Sequence, residues 1–384
     1  MIVAGVMSGT SADGIDVALV RISSASRVHF QPRVKLLGHA AFPYHRDVRR
    51  AVLSAMNARR ASVADLARLN FLLAELYAEA VLATQKQFDF KAELVGCHGQ
   101  TLYHQGEPER FLGRKIAATW QTGEGAVIAA RLRVPVVSDF RPADIAAGGK
   151  GAPLVPFFDY LIYRDARVSR IVQNIGGIAN LTAIPARASI KKVLAFDTGP
   201  GNMVIDTVTE RLFGERYDSG GRIAASGAVL ERVVTHLMHL PFFRRRPPKT
   251  AGREEFGREF VQEFMKYCGR ANKHDVVATA TALTVRSIAD ALRRFVITRY
   301  SSFSEFIVSG GGTNNPTLLA MLAHELRPLG LQIRSSDEFG VPSEAKEAMA
   351  FALLAYQTWH RQPSNIPSAT GAKRPAILGK ISHA

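Results

Sequence analysis

The sequence predicts an α/β protein in two lobes. Three observations carry that expectation. The chain has 384 residues, which is long for one hydrophobic core. Short apolar runs alternate with stretches of helical spacing, as in an α/β fold. Gly-rich turns that follow short apolar strands occur in both halves, at residues 5–16, 197–202 and 309–315.

In chain order, residues 1–40 read as strands. Gly5 to Asp16 (GVMSGTSADGID) reads as a hairpin turn between two of them. Its three glycines let the backbone adopt positive φ and admit a ligand closely. Ser8, Thr10 and Ser11 offer hydroxyls, the backbone N–H groups can form an anion nest, and Asp13 and Asp16 suit a cation or water. The bland alternative is an ordinary tight turn. Leu66, Leu69, Leu72, Leu73, Leu76 and Ala80 keep helical spacing, with Ser62 and Asp65 placed as a cap. Glu93–Gly96 is a short buried strand running into His98, Gly99, Gln100 and Thr101, where α/β sheets place ligand contacts; a satisfied buried histidine is the alternative for His98. Thr119–Gly125 is expected to open a helix capped by Thr122. Val134–Val137 is a strand ending at Asp139 and Arg141, and Leu154–Tyr163 a helix. From Arg170 the pattern restarts, which puts the lobe boundary near 140–170. Strands at 171–175, 178–184, 193–196 and 306–308 are followed by helices from 203, 275, 316 and 343. The expected organisation is a lobe at 1–165, a second at 166–362, and a loose surface tail at 363–384.

Composition narrows the function. Hydrophobic content of 47% and charged content of 21% describe a globular protein, and no apolar run is long enough for a membrane span. Two cysteines, Cys97 and Cys268, make no disulfide framework and fit a reducing cytoplasm. The net charge of +16 raises nucleic acid as a partner, but the basic clusters are short and not interleaved with aromatics. An attraction for anionic substrates is the milder inference. Neither the Walker G-x-x-x-x-G-K-[ST] pattern nor G-x-G-x-x-G is present, so a P-loop and a Rossmann site are disfavoured. Three Gly-rich turns in two halves suggest a nucleotide held between lobes.

The motifs GVMSGTSADGID (5–16), GCHGQT (96–101), SDFR (138–141), NIGGIAN (174–180), FDTGPGN (196–202), SGGGTNN (309–315) and EAMAFA (347–352) resemble, in order and density, those of the anhydro-N-acetylmuramic acid kinases. That family belongs to the sugar kinase, Hsp70 and actin superfamily. The resemblance covers nearly the whole chain and implies a two-lobed actin-like ATPase fold with a central cleft. It also implies that 1,6-anhydro-N-acetylmuramic acid, ATP and water become N-acetylmuramic acid 6-phosphate and ADP, in peptidoglycan recycling. The implied partners are the anhydro sugar and ATP, with a homodimer left open and neither nucleic acid nor membrane expected.

By the same resemblance Asp197 is the catalytic base. One carboxylate suffices because the released O6 attacks phosphorus and needs no acid. The alternative for Asp197 is a cap or turn-ordering role. The hairpin residues Gly9, Thr10, Ser11, Ala12, Asp13, Gly14, Ile15 and Asp16 bind phosphates, with Asp13 or Asp16 orienting Mg²⁺ through water. Gly310, Gly311, Gly312 and Asn314 form the adenosine-side loop; a plain turn capped by Asn315 is the alternative. His98, Gln100, Asp139, Arg141 and Glu347 are the sugar-site candidates. Arg141 suits the lactyl carboxylate. Asp139 is a hydroxyl partner or rival base, and Glu347 also fits simple dipole stabilisation in a first helical turn. An ordinary hexose kinase, or an ATP-driven binding protein, are the competing functions.

Overall fold

The computed structural model describes residues 1–24, 32–297 and 303–384. The part of the expected N-terminal strand region at 25–31 lies outside them. Two compact units emerge: Met1–Ile162 with Ala345–Ala384, and Tyr163–Glu344.

The first unit is built on strands β1 (Ile2–Ser8), β2 (Gly14–Ser23), β3 (Arg33–Pro43), β4 (Leu94–Phe111), β5 (Arg114–Thr122) and β6 (Val136–Ser138). The sheet order is C-terminal strand Lys380–Ser382, β6, β4, β1, β2, β3, with β5 paired to β4. β1, β2 and β3 are antiparallel neighbours, whereas β4 runs parallel to β1 and β6 parallel to β4. The second unit holds β7 (Arg170–Ile175), β8 (Ile178–Ile184), β9 (Leu194–Pro200), β10 (Glu305–Ser309) and β11 (Gln332–Ser335), in the order β11, β10, β7, β8, β9. Here too three consecutive antiparallel strands are extended by two parallel ones. The repeat is of topology, as the recurring Gly-rich turns suggested.

Local signals place several helices. The Ser62 hydroxyl accepts the Asp65 N–H and opens the helix Val63–Phe88. That helix buries Leu69, Leu73, Tyr77 and Val81 one turn apart. Asn315 caps Pro316–Leu326 through the Leu318 N–H. The second unit's core surrounds Lys273–Ala291, where Val277, Leu283 and Ile288 are buried. Its threonines keep their hydroxyls satisfied: Thr281 donates to the Val277 carbonyl and Thr284 to that of Gly201. Among the described residues no helix is long and apolar enough to cross a membrane.

Four expectations need correcting. First, the strand at 93–96 continues to Phe111, and residues 119–122 belong to β5 instead of opening a helix. Thr119, Trp120 and Thr122 are β-formers, and the helix begins at Gly125 with the Glu124 side chain accepting the Ala126 N–H. Second, residues 345–362 belong to the first unit. The helix Lys346–Trp359 lies against β1 and β4, where Gly5 and Gly96 are register partners. A Cβ on either glycine would overlap a carbonyl oxygen of that helix, of Ala348 or Phe351. Third, the segment after residue 362 is not loose. Ser364, Asn365, Ile366, Thr370 and Leu378 are buried. The buried Asp144 carboxylate accepts from Asn365 Nδ2 (2.7 Å), Thr370 Oγ1 (2.8 Å) and the Gly151 N–H (2.8 Å), so one carboxylate ties the tail to the 148–151 loop. Fourth, the last helix starts at Lys346 and not at 343.

Candidate active site

The 5–16 stretch is the β1–β2 hairpin, and its positive φ does not fall on a glycine. Ala12, at φ 53°, is the residue of this turn in the left-handed region; Gly5, Gly9 and Gly14 are not. Gly5 and Gly14 are close-packing positions, Gly14 against the Phe42 carbonyl. Only Gly9 is open, with nothing nearer to an added Cβ than Ser11 Oγ at 3.7 Å. Ala12 and Ile15 put their side chains in the core, so any contact they make with a ligand is through the backbone. Ser8 is likewise not ligand-facing. Its buried hydroxyl contacts the Gly14 carbonyl (3.0 Å), Tyr44 Oη (2.8 Å) and Gln100 Oε1 (2.7 Å). Gln100 in turn donates from Nε2 to the Gly9 carbonyl at 3.1 Å. Gln100 is fully buried and uses both ends of its amide to brace the hairpin. Thr10, Ser11 and Asp13 are exposed on the turn. Asp13 pairs with Arg49 and Asp16 with His39, each at 3.3 Å.

Close to this hairpin in the same unit, His98, Arg141 and Glu347 come together. Arg141 donates from Nε (3.2 Å) and Nη2 (2.9 Å) to His98 Nε2, and from Nη1 to the Gly151 carbonyl (2.9 Å). Nε2 is therefore the acceptor and the imidazole is neutral. Burial, then the Arg141 charge, hold its pKa well below the usual histidine value. The Phe351 ring packs on His98 at 4.6 Å. Burial lowers the Arg141 guanidinium to about 10, with Glu347 and Asp144 favouring its charged form, so it stays a cation at neutral pH. Burial raises the Glu347 carboxyl, Lys346 and Arg141 draw it down, and Asp16 pushes it up. Glu347 is in the first turn of its helix, as read, yet its electrostatics come from these neighbours. Asp139, two residues before Arg141, pairs through its carboxylate with Lys380 Nζ at 3.0 Å, on the C-terminal strand.

In the second unit, Asp197 sits buried on β9. Its Oδ2 accepts the Ala251 N–H at 2.7 Å, and its own N–H donates to the Lys249 carbonyl at 3.0 Å. It does not cap the following helix, whose first residue follows Gly201 with no side-chain cap. Burial pushes the Asp197 carboxyl up to about 7, against the Ala251 amide and the Lys249 charge, and Glu254 adds to the rise. Asp206, on the helix Asn202–Phe213, is also raised to about 7 by burial and by the Asp218 charge. Asp197 differs in having a backbone donor fixed on its carboxylate.

The turns at 176–177, 200–203 and 309–314 converge in this unit. Asn202 N–H donates to the Gly176 carbonyl (2.7 Å) and Gly201 N–H to that of Gly177 (2.9 Å). Gly310 takes φ 87°, closed to most side chains, and a Cβ there would press on Asn174 and the Ile175 carbonyl. Gly310, Gly311, Thr313 and Asn314 line a cavity of about 260 Å³ with Asp337, Pro342, Ser343 and Glu344; Gly312 is buried against Ile175 beneath it. Asn315 caps the helix that follows, so the turn has its local role as well.

Sequence reasoning missed Lys249 and the Ala251 amide. Pro247, Pro248, Lys249 and Thr250 carry no pattern beyond that of a loop, whereas Lys249 is buried in the fold.

A family model described as anhydro-N-acetylmuramic acid kinase matches residues 1–384. An anhydro-N-acetylmuramic acid kinase of Bacillus cereus (strain Q1) is 45% identical over 386 residues, covering 100% of this chain and 99% of its own. One of Bacillus thuringiensis subsp. konkukian (strain 97-27) is 44% identical over 385 residues, with the same coverage. Among solved structures, component A of (R)-2-hydroxyglutaryl-CoA dehydratase from Acidaminococcus fermentans aligns with a TM-score of 0.45 at 10% identity, covering 93% of this chain and 98% of that one.

Proposed function

This chain belongs to the anhydro-N-acetylmuramic acid kinase family, and from that membership we propose how its own residues share the work. It is a kinase that opens 1,6-anhydro-N-acetylmuramic acid with water and phosphorylates O6 from ATP, a step of cell-wall sugar recycling. The observation that carries the mechanism is Asp197. A general base works best with a pKa near the working pH. Burial raises Asp197 to about 7 while the Ala251 amide keeps the carboxylate oriented. Asp197 takes the proton of the water that attacks C1. The C1–O6 bond breaks, and the electron pair left on O6 attacks the γ-phosphorus with ADP leaving. The second carboxyl of an ordinary glycosidase, which protonates the leaving oxygen, is then unnecessary.

The other assignments follow the geometry of each unit. The hairpin turn from Gly9 to Asp16 faces the phosphates through its exposed residues Thr10, Ser11 and Asp13, and Ser8 and Gln100 hold that turn in shape. Gly310 to Asn314 receive the adenosine side. Arg141 meets the lactyl carboxylate while His98 fixes its plane, and Glu347 accepts a sugar hydroxyl. Asp139, paired to Lys380, is a further candidate for a sugar hydroxyl or for a rival base. For Mg²⁺, no three His, Cys, Asp or Glu side chains converge among the described residues. Mg²⁺ fits such a place when it keeps its waters and takes one or two carboxylates with the phosphates. Asp13 and Asp16, both partly exposed oxygen donors, would hold it through water. Bound there, the ion supplies charge neutralisation on the transferring phosphoryl group. A homodimer and a cytoplasmic location remain part of the proposal.

Two experiments test this. In ¹⁸O-labelled water the product N-acetylmuramic acid 6-phosphate should carry one label at C1; an unlabelled product, or phosphorylation of an intact ring-opened sugar alone, would refute it. Arg141→Lys loses the fork on His98 and Gly151. The KM for the anhydro sugar should rise roughly ten- to hundredfold, as expected for a charge-assisted hydrogen bond, with the KM for ATP little changed. A rise confined to ATP would move Arg141 out of the sugar site.

A further inference from the structure

Lys249 is a lysine in the second unit's core, 2% exposed. Its ammonium donates to the Phe242 carbonyl at 3.1 Å and lies 4.5 Å from the centre of the Phe242 ring, 5.3 Å from Phe295 and 5.9 Å from Phe196. Phe196 is the residue before Asp197. Lysine is seldom buried this way, because desolvating an ammonium is unfavourable and methionine would fill the same space. The main chain around it is equally committed: the Lys249 carbonyl accepts from the Asp197 N–H, and two residues on the Ala251 N–H donates to Asp197 Oδ2.

We propose that Lys249 is a positioning residue for Asp197: its caged side chain pins the 249–251 strap that clasps Asp197 at both main chain and carboxylate, and its charge keeps that carboxylate available as a base. This rests on the reading of Asp197 as the base. Face-to-ring contacts hold the cation without neutralising it, as a buried carboxylate partner would. Its field therefore remains to act on Asp197, where it favours the ionised form against burial and against Glu254. The other charges that face Lys249 come from three elements. Asp290 favours its charge, Arg294 and Arg245 oppose it, and burial is the largest influence, lowering it to about 8. Arg294 and Arg245 are themselves paired, with Asp290 and Glu255. The ammonium is thus present at neutral pH and is lost as the solution turns alkaline.

The test is titration of the Asp197 carboxyl carbon in protein labelled with [¹³C]aspartate, the resonance being the one missing from Asp197→Asn. In Lys249→Met its midpoint should rise by about one pH unit, the size of effect a nearby opposite charge has on a carboxyl. The acid limb of kcat/KM should move with it, giving close to a tenfold loss at about pH 6.5 that is recovered in alkali. Lys249→Arg should keep the wild-type midpoint. In the wild type the same resonance should shift a second time near pH 8 as Lys249 gives up its proton, a readout that needs no variant to fold. An unmoved midpoint in Lys249→Met, a pH-independent loss of rate, or no second inflection in the wild type would overturn the proposal. Turnover retained by Asp197→Asn would instead overturn the base assignment and leave the titration result standing.

Discussion

Asp197→Asn should turn over the anhydro sugar at least about a hundredfold, and up to about 10⁴-fold, more slowly than the wild type, the range that a positioned base supplies. The same variant should melt at a higher temperature than the wild type at pH 8. Both outcomes come from one feature. Burial holds the Asp197 proton to about pH 7, whereas the carboxyl ordinarily loses it near 3.8. Below pH 3.8 the group is neutral in the folded and the unfolded chain. Between there and 7 the unfolded chain ionises first, so stability falls as pH rises. Above 7 the whole penalty is present, at most about 4 kcal/mol for a rise of about three pH units. Asparagine keeps an oxygen for the Ala251 amide and carries no charge, so the penalty disappears along with the base. Steady-state rates and thermal melts at pH 8 check this. Near-wild-type turnover would remove Asp197 from the chemistry. A lower melting temperature would mean that the carboxylate is not under the strain of burial. In the wild type, the rate should rise through a single ionisation near pH 7.

Gly5→Ala should destabilise the first unit by about 3 kcal/mol or more, the upper end for forcing extra volume into a packed core. For a unit of this size that is a fall of roughly 10 °C in melting temperature. The reason is local and specific. Gly5 and Gly96 face one another in the parallel β1–β4 ladder and form a slot, and a Cβ on Gly5 would overlap the Ala348 carbonyl and the Ala352 N. Backbone cannot swing aside as a side-chain tip can. The displaced helix carries Glu347 in its first turn, so turnover should fall with stability. Gly9→Ala is the control in the same motif. Its Cβ meets only Ser11 Oγ, at ordinary contact distance, and its melting temperature should match the wild type. Equal melting for all three proteins would show that the slot does not exist.

The same motif shows how far sequence reading reaches. The hairpin was legible because two apolar runs around a polar, Gly-rich turn admit little else. Which glycine did what was not. Positive φ, which glycine permits, falls on Ala12, while Gly5 and Gly14 serve close contacts, Gly5 with a helix more than three hundred positions away. The caps at Ser62 and Asn315 were legible because donor and acceptor are three residues apart. The Asp139–Lys380 pair spans 241 positions, and the Asp144 carboxylate reaches Asn365 and Thr370 across more than two hundred. No spacing rule operates over such separations. For the same reason neither the packing of the tail nor the membership of the last helix in the first unit is written in local sequence.

Asp197 and Lys249 divide along the same line. The sequence by itself determined the α/β class, the order of most strands and helices, the family, and the residues that its motifs mark, Asp197 among them. These are properties of period, propensity and short-range pattern, written within a few consecutive residues. Only the tertiary structure decided that Asp197 is buried and raised to about 7, that Gln100 braces the hairpin, that His98 is the neutral acceptor for Arg141, and that a lysine in a proline-rich loop is caged by three aromatic rings. Burial and the charges it gathers set a group's protonation and its partners, and burial is a property of packing between segments distant in sequence.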